Sequence, residues 1–129
     1  MNSTAFLSVG IGAALGAWMR WGLGLALNVV LPALPLGTLV ANLLGGYLVG
    51  LAVGVFHLNS GLPDTLKLLV ITGFLGGLTT FSTFSAEVME RILSHQYAWA
   101  IVLLLTHLLG SLGMTFLGLW SVGAHRLWG

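Results

Sequence analysis

Residues 73–87 read Gly73-Phe74-Leu75-Gly76-Gly77-Leu78-Thr79-Thr80-Phe81-Ser82-Thr83-Phe84-Ser85-Ala86-Glu87, which places a glycine pair and a hydroxyl-rich run inside an apolar stretch. Adjacent glycines followed by β-branched and hydroxyl residues have poor helix propensity. A helix interrupted there leaves carbonyls at the end of one half and amides at the start of the next. Unpaired backbone at membrane depth is tolerated only when it is buried in protein or lines a cavity. Interrupted helices of this kind build ion sites. The alternative is an intact helix crossing a neighbour at its glycines, with Ser and Thr bonded back to the preceding turn. Other polar groups also stand in apolar surroundings. Asn42 lies mid-stretch, where its amide must find hydrogen-bond partners. His107, Ser111 and Thr115 recur every four residues and share one helix face. Arg20 and Glu87 are charges within or beside apolar segments, and such charges mark functional sites. No nucleophile–base constellation accompanies them, so catalysis is not expected.

Composition explains where these groups reside. Of 129 residues, 57% are hydrophobic and 5% charged, with four Lys+Arg, three Asp+Glu and no cysteine. An ordinary soluble domain has about a quarter charged residues. The chain therefore lacks a water-facing surface and lacks the basic face a nucleic-acid binder needs. Disulfides and thiolate metal sites are excluded with the cysteines. A helix needs about 20 apolar residues to cross a bilayer, and charges and turn formers divide the chain into four such segments. They are expected at about 5–27, 36–56, 66–89 and 98–124. The last is longer than a bilayer requires, so it is expected to tilt or project. Trp18, Trp21, Tyr97, Trp99, Trp120 and Trp128 lie towards segment ends, where amphipathic rings favour the membrane interface. No Lys or Arg precedes the first segment, which is read as a retained span rather than a cleaved signal peptide.

The sequence thus predicts an all-α membrane protein, one four-helix domain with its third helix broken near the midplane. Four crossings put Lys67 and Arg126 on one side and Arg20 and Arg91 on the other. This gives no Lys/Arg bias, the quantity that normally sets orientation, so insertion in both directions is one reading. Weak features of the first helix fixing one orientation is the other. Gly12-x-x-x-Gly16 and Gly46-x-x-x-Gly50-x-x-x-Gly54 provide close helix contacts, within a subunit or between two. Oppositely inserted copies would share a two-fold axis in the membrane plane, passing near the third-helix break. A cation on that axis would receive paired ligands, and hard carbonyl oxygens suit an alkali ion.

The segment from Gly73 to Glu87 resembles the signature of the Fluc (CrcB) fluoride-channel family, close to G-F-x-G-G-x-T-T-F-S-T-F-S-x-E. Gly37-Thr38-Leu39-Val40-Ala41-Asn42-Leu43-Leu44-Gly45 resembles the family's second-helix pattern G-T-L-x-x-N-x-x-G, and Gly16-Ala17-Trp18-Met19-Arg20 its first-helix G-A-x-x-R. The likeness covers essentially the whole chain in order, with only the fourth segment loosely patterned. It implies an antiparallel, dual-topology homodimer in the lipid bilayer of the bacterial inner membrane, with two fluoride pores and a central structural sodium ion. The carbonyls of Gly76 and Thr79 would bind that sodium, two from each subunit.

Further roles follow from the resemblance. Phe81 and Phe84 correspond to paired pore phenylalanines, whose positive ring edges attract an anion without trapping it. Asn42 corresponds to a pore-lining residue whose amide could donate to dehydrated fluoride, a bland interhelical hydrogen bond being the competitor. Ser82 and Thr83 add hydroxyls beside the phenylalanines, and His107, Ser111 and Thr115 form a polar stripe. Fluoride is small and strongly hydrated, so a pore must replace its water with several donors. Arg20 would either concentrate anions at a pore entrance or snorkel to headgroups. Thr38 and Glu87 support the motif, and Glu87 is not a fluoride ligand. His57, His95 and His125 are expected at the interface. The runner-up function is a small dual-topology, proton-coupled multidrug exporter, which needs a membrane-embedded carboxylate. A non-transporting assembly partner would leave the broken helix and polar stripe unexplained.

Overall fold

The computed structural model describes residues 2–128. Helix α1 (Ser3–Leu27) starts at Asn2, whose side-chain oxygen accepts from the Ala5 amide at 2.8 Å. Helix α2 (Leu36–Leu58) begins after Pro35, which has no side-chain oxygen to cap it. Asn28 at the end of α1 takes that role across the loop, its Oδ1 accepting from the Gly37 and Thr38 amides at 2.8 and 3.2 Å. One residue thereby closes one helix with its backbone amide, which donates to the Gly24 carbonyl, and opens the next with its side chain.

The third crossing is a composite. A short α3 (Asp64–Lys67) runs into a π-helical stretch, π1 (Leu68–Leu75), then a single turn α4 (Gly76–Leu78). Thr79 and Thr80 are extended, with ψ of 153° and 122°, and α5 (Phe81–Leu93) follows. The third helix is broken midway. The break falls on the threonine pair, while Gly76 and Gly77 remain helical. Two adjacent β-branched residues leave the helix more readily than Gly77, which lies against the Ala13 backbone of α1. Helix α6 (Tyr97–Ser121) ends short of the expected 124; Gly123, at φ 74°, turns the chain into a 3-10 helix over Ala124–Leu127.

Small residues set the packing. Helix α2 lies mainly on α6, α1 on π1 and α4, and α5 on α6. Gly12 and Gly16 face the backbone of residues 69–78, and Gly46 and Gly50 face Ser111 and Thr115. Both glycine repeats therefore pack helices within one chain. Buried Ala41, Leu75 and Leu78 form one apolar core beside the break, and Phe84, Val88, Ala100 and Leu103 a second. The outer faces carry exposed Phe6, Ile11, Leu105, Leu109 and Phe116, a surface suited to lipid. Three helical segments among the described residues, Leu36–Leu58, Asp64–Leu93 and Tyr97–Ser121, are long and apolar enough to cross a membrane. Helix α1 matches them in length, but it carries Arg20, which lowers its hydropathy.

Candidate functional site

The break redistributes backbone hydrogen bonds. In a continuous helix the Thr80 amide would donate to the Gly76 carbonyl, and the Thr83 amide to the Thr79 carbonyl. Here the Thr80 amide donates to Asn42 Oδ1 at 2.8 Å. The Thr83 amide donates to Thr80 Oγ1 at 3.1 Å, a side-chain cap for α5. Gly76 and Thr79 are thus among the carbonyls whose helical partners have been diverted. Their oxygens are hard donors of the kind an alkali cation takes.

Arg20 contributes to the same arrangement. Its Nε donates to the Gly77 carbonyl at 3.0 Å, taking up the oxygen that the Phe81 amide would serve in an unbroken helix. Through Nε the partly exposed side chain reaches the break. This geometry gives a direct test. Arg20→Met should lower stability by about 1.5–3 kcal/mol, the range for a hydrogen bond involving a charged group. Thermal unfolding in detergent would register the loss. Arg20→Lys keeps the charge but lacks the Nε donor, so it should unfold earlier than the wild type; full recovery by lysine would argue for charge alone.

Beside the break lies an open cavity of about 480 Å³, lined mainly by apolar groups. Its polar edge comes from Asn42, Thr79, Thr80, His107 and Ser111, and its aromatic wall from Phe81 and Phe84. Phe81 is 72% exposed at the cavity mouth, whereas Phe84 is buried behind it. The two rings meet edge to face, centroids 5.4 Å apart and planes at 79°. Phe84 also stacks on the His107 ring at 4.5 Å. Such mutual orientation leaves ring edges and faces in fixed directions.

The structure divides the expected ion-path residues. Asn42, Phe81, Phe84, His107 and Ser111 come together on the cavity. Ser82 and Thr83 do not line it; Ser82 Oγ lies 3.4 Å from Thr80 Oγ1 on the outer side of α5. Thr115 is directed to backbone, its hydroxyl 3.0 Å from the carbonyls of both Gly46 and Ser111. Thr38 and Glu87 form a separate buried pair, with Thr38 Oγ1 donating to Glu87 Oε2 at 2.7 Å. Glu87 is therefore absent from the cavity wall. Thr80 was not among the expected functional residues, although it supplies the amide, carbonyl and hydroxyl that organise the break. Its place in the doubled threonine was the available signal.

The family model described as CrcB-like protein, Camphor Resistance (CrcB), matches residues 7–119. The chain is also similar to proteins named fluoride-specific ion channel FluC. That of Dechloromonas aromatica is 62% identical over 128 residues, covering 99% of this chain and 95% of the relative. That of Cupriavidus pinatubonensis is 60% identical, covering 94% and 96%. The Nitrosospira multiformis protein is 58% identical, covering 95% of each chain.

Proposed function

This chain belongs to the CrcB-like family, and from that membership we propose that it is a fluoride-specific ion channel of the bacterial inner membrane. The observation that carries the reading is a cavity bordered by ring edges, an imidazole and a hydroxyl, with no charged side chain in its wall. A fixed cation would hold fluoride too tightly to release it, and apolar walls alone would not replace its water. Aromatic edges and neutral donors lie between those extremes.

The channel is an antiparallel homodimer with four crossings per chain. Balanced Lys and Arg on the two sides support insertion in both directions. The exposed Phe81 ring and the open side of the cavity support a second subunit completing each of two pores. Fluoride enters cells as neutral HF, which dissociates inside. An inside-negative potential then drives the anion out through a passive pore, by about 2.3 kcal/mol per 100 mV.

The break fits a structural sodium ion. Gly76 and Thr79 carbonyls from each copy would hold it on the two-fold axis, since both are released from helical bonding. The ion would neutralise carbonyl dipoles where the two chains meet. On this chain, Asn42, the Thr80 hydroxyl and Arg20 hold the surrounding backbone in its interrupted form.

The exporter reading loses support because its required carboxylate is missing from the cavity: Glu87 is bonded to Thr38 elsewhere. Reconstituted vesicles loaded with fluoride or chloride test the choice. Rapid fluoride loss without chloride loss supports the channel, whereas proton-dependent uptake of a cationic dye supports the exporter. Phe81→Ile removes a ring edge while keeping an apolar side chain. Fluoride efflux should fall about tenfold, since aromatic contacts contribute up to about 1.5 kcal/mol. Dimer elution on size exclusion should be unchanged; wild-type efflux would remove Phe81 from the path.

A further inference from the structure

Gly12, Gly16 and Arg20 recur every four residues along α1 and so share one helix face. The two glycines lie against the backbone of residues 69–78, and that close approach carries Arg20 to the break. In an unbroken helix the amides of Thr80 to Thr83 would serve the carbonyls of Gly76 to Thr79. The Thr80 and Thr83 amides bond to side chains instead. Among the described residues, no bond joins the Phe81 or Ser82 amide to Gly77 or Leu78.

The carbonyls left behind differ in what else reaches them. Leu78 is fully buried in the core beside Ala41, so its oxygen is enclosed. Gly77 is partly buried, and its oxygen accepts from Arg20 Nε at 3.0 Å. The next carbonyl along, that of Thr80, accepts from Asn42 Nδ2 at 2.9 Å. Gly76 is exposed and Thr79 partly buried, and neither oxygen takes a side-chain hydrogen bond among the described residues. Gly77 is therefore the oxygen that a cation at the break could recruit next, and Arg20 holds it. The number and field strength of carbonyl dipoles govern which alkali ion a backbone site prefers. Larger cations take more oxygen ligands and smaller ones fewer.

We propose that Arg20 is a specificity-determining residue for the cation at the break: by occupying the Gly77 carbonyl it confines each chain's donors to Gly76 and Thr79, and so favours sodium over potassium. This deepens the sodium reading given above and rests on it. The guanidinium charge repels sodium and potassium alike, so it moves their affinities together and leaves their ratio to the donor set.

Thermal unfolding of the full-length protein in detergent and choline chloride, followed by tryptophan fluorescence, reads cation binding as a rise in unfolding temperature. Sodium chloride should stabilise the wild type at a concentration about tenfold or more below that of potassium chloride. In Arg20→Met the two concentrations should converge, the ratio falling about tenfold. Arg20→Gln sets an amide nitrogen as many bonds from the backbone as Nε, without the charge, and should keep the wild-type ratio. A lower unfolding temperature would accompany any structural role, but a changed ratio would not. An unchanged ratio in Arg20→Met, or the same loss of preference in Arg20→Gln, overturns the role of Arg20. Carbonyl ¹³C spectra of the wild type need no variant. On replacing choline by sodium, the Gly76 and Thr79 signals should shift while Gly77 stays; a Gly77 shift as large as that of Gly76 overturns the proposal. Wild-type unfolding indifferent to both sodium and potassium would refute the sodium reading itself, and the proposal with it.

Discussion

Asn42→Asp is expected to reduce fluoride efflux from reconstituted vesicles by about a hundredfold or more, the consequence of an uncompensated charge in a buried polar cluster. The substitution exchanges the amide nitrogen for oxygen with almost no change in shape. One carboxylate oxygen can still accept from the Thr80 amide. The other would face the Thr80 carbonyl across the present 2.9 Å contact and stand beside His107 Nδ1. The contact to the Thr80 carbonyl becomes repulsive, and a negative charge appears at the cavity where the anion must pass. A fluoride electrode measures the result directly. Near-normal efflux would mean that this wall is not on the ion's route.

Gly50→Val should have the largest effect on stability, at about 3 kcal/mol or more, the upper range for forcing atoms into a packed interface. A Cβ at position 50 would overlap the Thr115 carbonyl oxygen and lie 3.0 Å from the Leu119 amide nitrogen. Neither group can retreat without moving α6. A lowered unfolding temperature and poor recovery from membranes are the expected readouts. A wild-type melting profile would show that α2 and α6 are less closely apposed than described here. Valine is used because its branches cannot turn away from both neighbours, whereas the added methyl of alanine is a milder insult.

The residues that disclosed most in the sequence were those violating local expectation. Four apolar segments followed from sparse charge and punctuating turns, and an interruption followed from a glycine pair beside two threonines. Its exact position did not follow. The glycine pair with its hydroxyl-rich sequel marked the weak region, but the α1 backbone lies against Gly77, close to the Ala13 carbonyl, and the helix persists through Leu78. The wide turns of π1 carry no signal in Leu68-Leu69-Val70-Ile71-Thr72-Gly73-Phe74-Leu75, because that apolar run suits an α-helix equally well. Long-range partners were equally hidden. Arg20 was legible as an intramembrane charge, yet its target is 57 positions away at Gly77. Asn42 was legible as a buried amide requiring partners, but local spacing does not reveal that Thr80 and His107 supply them. The fluoride reading came from the ordered motifs, since composition and periodicity define a membrane bundle without choosing its cargo.

The π-helical stretch also constrains how this chain tolerates changes in length. Hydrogen bonds spanning five residues accommodate one more residue than an α-helical turn would. Dropping a single residue between Leu68 and Leu75 would let the backbone tighten into ordinary α geometry while the flanking helical segments kept nearly their present phase. Dropping one from an α-helical part of the crossing, with no wide turn to absorb it, would turn everything beyond it by about 100°. The stretch is a reserve of length, placed where Leu69 and Phe74 lie against Gly12 and Gly16.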